Sequence, residues 1–130
     1  FIVYVRICAE YSTIYDQMGL MLIKDKSNWI KTGIEFVNEQ YVSCVVTKGY
    51  SDWSVSPIHA NPKSIELKLT RSKSKIVIQY RVPQRAHKWY LLRKFQFTDA
   101  PLQVGMMSCT PQRKDAGNKF CPRFESFSLT

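Results

Sequence analysis

Apolar and polar residues alternate with a period of two through most of the chain. In SIELKLT, Ile65, Leu67 and Leu69 fall on one side, and Ser64, Glu66, Lys68 and Thr70 on the other. SKIVIQYRV repeats the pattern with Ile76, Ile78, Tyr80 and Val82. Successive side chains of a strand point to opposite faces, so such runs predict strands with one buried and one wet face. Further strands are expected over 1–9, 18–24, 29–37, 40–48, 89–97, 102–109 and 120–129. Turn residues separate them: Asp25-Lys26-Ser27-Asn28, Asn38-Glu39, Gly49 and Pro83-Gln84-Arg85. GYSDWSV, Gly49 to Val55, reads as one of these turns, with Trp53 held between Asp52 and Ser54. No window carries a helical period with caps. Many short strands at near-regular spacing predict an all-β fold, an antiparallel two-sheet sandwich or jelly roll.

The run NWIKTGIEFV predicts two unlike faces. Ile30, Thr32, Ile34 and Phe36 form an ordinary core side. Trp29, Lys31, Gly33, Glu35 and Val37 form the other. Glycine inside a strand often marks the close approach of another group. The same parity places Tyr41, Ser43, Val45 and Thr47 outward on the next run, and Gln17, Gly19 and Met21 outward on the preceding one. A one-residue bulge would invert any of these faces.

The chain has 130 residues, the size of one domain. No stretch approaches the roughly 18 apolar residues of a membrane-spanning helix. The opening FIVYVRICA has no basic lead and no small-residue cleavage site, so it reads as a strand rather than a secretory leader. Cys8, Cys44, Cys109 and Cys121 have no C-x-x-C spacing, and His59 and His87 lie away from them, so no metal site is expected. Free cysteines on strand-like runs and the lack of an N-x-S/T site point to a reducing, cytoplasmic setting. The net charge is +9, concentrated at Arg71-Ser72-Lys73-Ser74-Lys75 and between Arg81 and Lys94. Such an excess attracts acidic partners. No nucleic-acid recognition motif accompanies it, so a solvated sheet face is the expected role and no specific nucleic-acid site is foreseen.

Four ordered segments resemble a known family: YDQMGLML (15–22), NWIKTGIEF (28–36), SCVVTKGYSDWSV (43–55) and VGMMSCTPQR (104–113), with FESFSL as the closing strand. They resemble the family called regulation of enolase protein, a domain of unknown function. The resemblance implies a concanavalin A-like sandwich and, since family members are longer at the N-terminus, strands preceding residue 1 of this single domain. Two stretches depart from the family pattern: RVPQRAHKW (81–89) replaces a glycine-containing hairpin, and KDAGNKF (114–120) places Gly117 late.

The wider superfamily includes lectins and glucanases, which implies carbohydrate binding as one role. Sugars need an aromatic face and planar polar groups. Trp29 and Trp53 supply the first; Gln17, Lys31, Glu35 and Asp52 supply the second. Alternatively, Trp53 plugs the end of the core, Trp29 packs at a strand start, and Asp52 caps its own turn. Glycoside hydrolysis normally needs two carboxyl groups flanking the bond. Glu35 has no acidic neighbour on its face and would need Asp16 or Asp52 from another element. No nucleophile motif is present either. The expected function is a non-catalytic binding domain, lectin-like and without a cofactor. The alternative is a protein-interaction module for a metabolic enzyme such as enolase, drawn to an acidic partner by charge. A hydrolase is the least favoured reading.

Overall fold

The computed structural model describes residues 1–112 and 120–130. Among these described residues ten strands run in chain order: β1 (Ile2–Cys8), β2 (Gln17–Asp25), β3 (Asn28–Phe36), β4 (Gln40–Lys48), β5 (Tyr50–Pro57), β6 (Ser64–Ser72), β7 (Lys75–Arg81), β8 (Tyr90–Gln96), β9 (Gln103–Cys109) and β10 (Arg123–Leu129). They form two five-stranded sheets, ordered β10-β1-β6-β7-β8 and β5-β4-β3-β2-β9. Every adjacent pair is antiparallel. The architecture is the all-β sandwich that the alternation predicts.

The inward face of each central strand supplies the core. Val3, Val5 and Ile7 come from β1, Leu67 and Leu69 from β6, and Ile76 and Ile78 from β7. Met18, Leu20, Leu22, Ile30, Ile34, Val42, Cys44 and Val46 answer from the other sheet. Burying one such aliphatic side chain contributes roughly 1.5–3 kcal/mol, so this shared layer holds the sheets together. Cys44 behaves as a small apolar residue here, and burial pushes its thiol up to about 11.

One element differs from expectation. SDWS is not a turn but the middle of β5, an edge strand paired along β4 from Tyr41↔Pro57 to Lys48↔Tyr50. The chain reverses at Gly49, whose φ of +75° is open to glycine at no steric cost. An edge strand has one neighbour and overhangs the core, so both of its faces are wet and its alternation is faint. That is why β5 is hidden among serines. Cys121 also lies outside β10, which begins later than the 120–129 expected.

Candidate functional site

The outer face of the second sheet is fixed by its register. Glu35 stands beside Gln17 on β2 and Tyr41 on β4. Lys31 stands beside Met21 and Val45, and Val45 beside Trp53 on β5. Trp29 lies one step further along β3, between Ile23 and Thr47. Gln17, Trp29, Lys31, Glu35 and Trp53 therefore share one face.

Asp52 does not. It pairs with Val46, a core residue, and so projects from the opposite side of the sheet. Neighbours in a turn can point together, but neighbours in a strand cannot. Once SDWS is a strand, Asp52 and Trp53 part company, and Asp52 leaves the candidate set. Asp16 also turns away from this face. It is fully buried, and its carboxylate accepts from the Ser12 and Thr13 backbone N–H groups and from the Thr110 hydroxyl. That clamp ties the loop before β2 to the end of β9 and so sets where Gln17 enters the sheet. Among the described outward positions of this sheet, Glu35 is the one carboxylate. Arg113, which ends the VGMMSCTPQR segment, lies outside the described residues.

Two hydrogen bonds organise four of the five, Trp29 lying outside both. The Trp53 indole N–H donates to Glu35 Oε2 at 3.2 Å, so the ring extends from β5 over β4 to β3. The Lys31 ammonium donates to Gln17 Oε1 at 2.6 Å, diagonally from β3 to β2. Both bonds pass over a row made by Gly19, Gly33 and Ser43. Glu35 and Gln17 retain only 6% and 7% of their exposure, although they belong to an outer face. Trp53 remains 58% exposed. The result is a shallow polar floor with an aromatic ring held above one side of it.

The glycine row has its own cause. A Cβ on Gly33 would lie 2.0 Å from the Met18 carbonyl oxygen, and one on Gly19 would lie 2.0 Å from that of Thr32. The group that approaches Gly33 closely is thus the backbone of the neighbouring strand.

A second polar cluster, unforeseen in the sequence, lies on the outer face of the other sheet. The register sets Glu66 between Arg6 and Arg81, and Lys68 between Tyr4 and Gln79. Glu66 is buried and ion-paired to Arg81. Burial opposes its ionisation, but hydrogen bonds from Arg81 and Tyr4 and the charges of Arg81 and Arg6 outweigh it and hold its pKa below the ordinary value. Trp89 sits in this cluster, with the Lys68 ammonium and the Arg81 guanidinium each 4.5 Å from its ring centroid and Tyr4 edge-on at 6.3 Å. The pairing of β1, β6 and β7, strands distant in the chain, creates it. The RVPQRAHKW segment delivers Trp89 to it.

Two antiparallel five-stranded sheets packed face to face define the chain as an all-β sandwich protein, consistent with the concanavalin A-like fold. It belongs to the family described as "Protein of unknown function (DUF1349)", whose model matches residues 1–130. Regulation of enolase protein 1 of Saccharomyces cerevisiae is 36% identical over 128 residues, 97% of this chain and 62% of that protein. The chain thus spans about three-fifths of that relative's length. A crystal structure of a functionally unknown protein from Saccharomyces cerevisiae superposes with a TM-score of 0.87 at 33% identity, over 99% of this chain and 68% of that one. The GH43 BlXynB protein from Bacillus licheniformis superposes at 0.78 with 16% identity, over 97% of this chain and 26% of that one. At that identity the likeness is one of fold.

Proposed function

We propose that this protein is a non-catalytic binding domain that takes a carbohydrate on the outer face of the β5-β4-β3-β2-β9 sheet. The observation that carries the reading is Trp53: its ring is more than half exposed, yet its orientation is fixed by a buried carboxylate. A pre-oriented aromatic face beside planar polar groups stacks on sugar C–H surfaces at low entropic cost. Glu35 and Gln17 accept from hydroxyls with their remaining lone pairs, and Lys31 donates. Trp29, two strands from Trp53, extends the aromatic surface for a longer chain of sugar units. Glu35 is engaged by the Trp53 indole and the neighbouring Glu39 by the Tyr41 hydroxyl, an arrangement that favours binding over glycoside hydrolysis, which normally uses two carboxyl groups flanking the bond.

Glycan-array binding of the wild type and the Trp53→Ala variant, at low and high salt, tests the reading. The expected result is saturable binding that salt leaves nearly unchanged and that Trp53→Ala weakens about tenfold, about 1.4 kcal/mol. Trp53 lies on an exposed edge, so the variant folds and its melt matches the wild type. No glycan bound by the folded protein, or binding indifferent to Trp53, overturns the proposal.

The name of the yeast relative favours a second reading, an interaction module for a metabolic enzyme such as enolase. A pull-down at low and high salt separates the two, because a charge-driven protein complex weakens with salt.

A further inference from the structure

The two outer faces differ sharply in charge. Lys31 and Glu35 are the charged side chains at the outward positions of the β5-β4-β3-β2-β9 sheet described above, and they balance. The other outer face carries Arg6, Lys68, Lys75, Arg81, Lys94 and Arg123. Arg6, Lys68 and Arg81 surround Glu66, Lys94 pairs with Val77, Lys75 with Gln96, and Arg123 with Cys8. Against these six stand Glu66 and Glu125. Much of the chain's +9 charge is therefore collected on one side of the sandwich.

We infer that the outer face of the β10-β1-β6-β7-β8 sheet is a docking surface for an acidic protein. Its centre is already ordered: Trp89 is held by Lys68 and Arg81 and abuts Tyr4. Tryptophan, tyrosine and arginine are the side chains that dominate interface energetics, and fixing them beforehand lowers the cost of association. The rim is made of exposed lysines and arginine (Lys75, Lys94 and Arg123), which accelerate encounter with a surface of opposite sign. A nucleic acid is the less favoured occupant. Trp89 is already engaged by two cations, so it is a poor platform for base stacking. This surface lies across the sandwich from Trp53 and does not depend on the carbohydrate proposal.

The test uses fluorescently labelled poly-L-glutamate and a duplex DNA of matched charge as probes, with affinities read by anisotropy at several salt concentrations. Lys75 and Lys94 are exposed, so the double variant Lys75→Glu/Lys94→Glu keeps its fold. Lys24→Glu/Lys26→Glu, in the β2–β3 hairpin, changes net charge by the same amount off the face. The expected result is salt-sensitive poly-glutamate binding, weakened about tenfold or more by the first pair and less than about twofold by the second, with Trp53→Ala neutral. Equal losses from the two pairs would show that only total charge matters and would overturn the inference. Tighter binding of DNA than of poly-glutamate at the same salt would overturn it in favour of a nucleic-acid surface.

Discussion

Gly33→Ala should destabilise the protein by about 3 kcal/mol or more, the upper range for overpacking a rigid interior. The added methyl group would meet the Met18 carbonyl oxygen at 2.0 Å and Gly19 Cα at 2.7 Å. Both obstacles are backbone atoms in the middle of a sheet, so no side chain can rotate away. β2 and β3 would have to separate at the point where Gly19 faces Gly33, and the ladder bonds on either side would lengthen. Gly105→Ala is the matched control. It lies on β9 with nothing within 4 Å of a built Cβ, and a change within about 0.5 kcal/mol is expected there. Urea titrations of the three proteins measure both effects. Equal stability of Gly33→Ala and Gly105→Ala would mean that the close approach of the two strands is not what requires glycine. The same floor carries the Lys31–Gln17 and Trp53–Glu35 bonds, so a spread ladder would also loosen the proposed ligand face.

Glu66→Gln carries the second large effect, about 2 kcal/mol at neutral pH. Breaking a fully buried ion pair costs roughly 3–5 kcal/mol, and the figure is reduced here because Arg81 retains access to water. The amide keeps the shape but removes the charge that Arg6, Arg81 and Tyr4 surround. The pH dependence follows from the sign of the shift. Glu66 has its pKa lowered in the folded state from an ordinary value of 4.5. Its contribution is therefore complete above that value and is lost as pH falls through the lower folded one. Melting temperatures of wild type and Glu66→Gln should differ most above about pH 5 and converge as the pH is taken down through the lowered folded-state value. A gap that stays constant across that range would assign the loss to packing rather than charge.

Sequence patterning was sufficient wherever a strand had a core to face. Leu20 and Leu22, Ile30 and Ile34, and Val42 and Val46 mark the inward side without ambiguity, and the outward set of Gln17, Lys31 and Glu35 follows by parity. β5 escaped because an edge strand has no apolar stripe to betray it. That omission had a consequence for the site: reading SDWS as a turn allowed Asp52 and Trp53 to converge, which strand geometry forbids. The Glu66 cluster was illegible for a different reason. Arg6, Glu66 and Arg81 are each ordinary outward residues of their own strands, and only the non-local order β1-β6-β7 brings them into one row. Period two fixes the face of a residue, whereas its neighbours across the sheet depend on pairings that the local pattern does not encode.

The pairing of β1 with β10 has a kinetic side. Val3 partners Leu129, and the Ile2 and Thr130 backbones exchange hydrogen bonds at 2.8 and 3.0 Å. β1 cannot complete its pairing until β10 has been made. At ~5–20 residues per second of synthesis, one edge of an apolar strand waits for on the order of ten seconds. Closing so long a loop adds an entropic barrier before any contact rewards it, which places folding on the slow, millisecond-to-second side of small domains. During that wait IVYVRIC is an unpaired strand edge, the kind of surface that invites edge-to-edge aggregation.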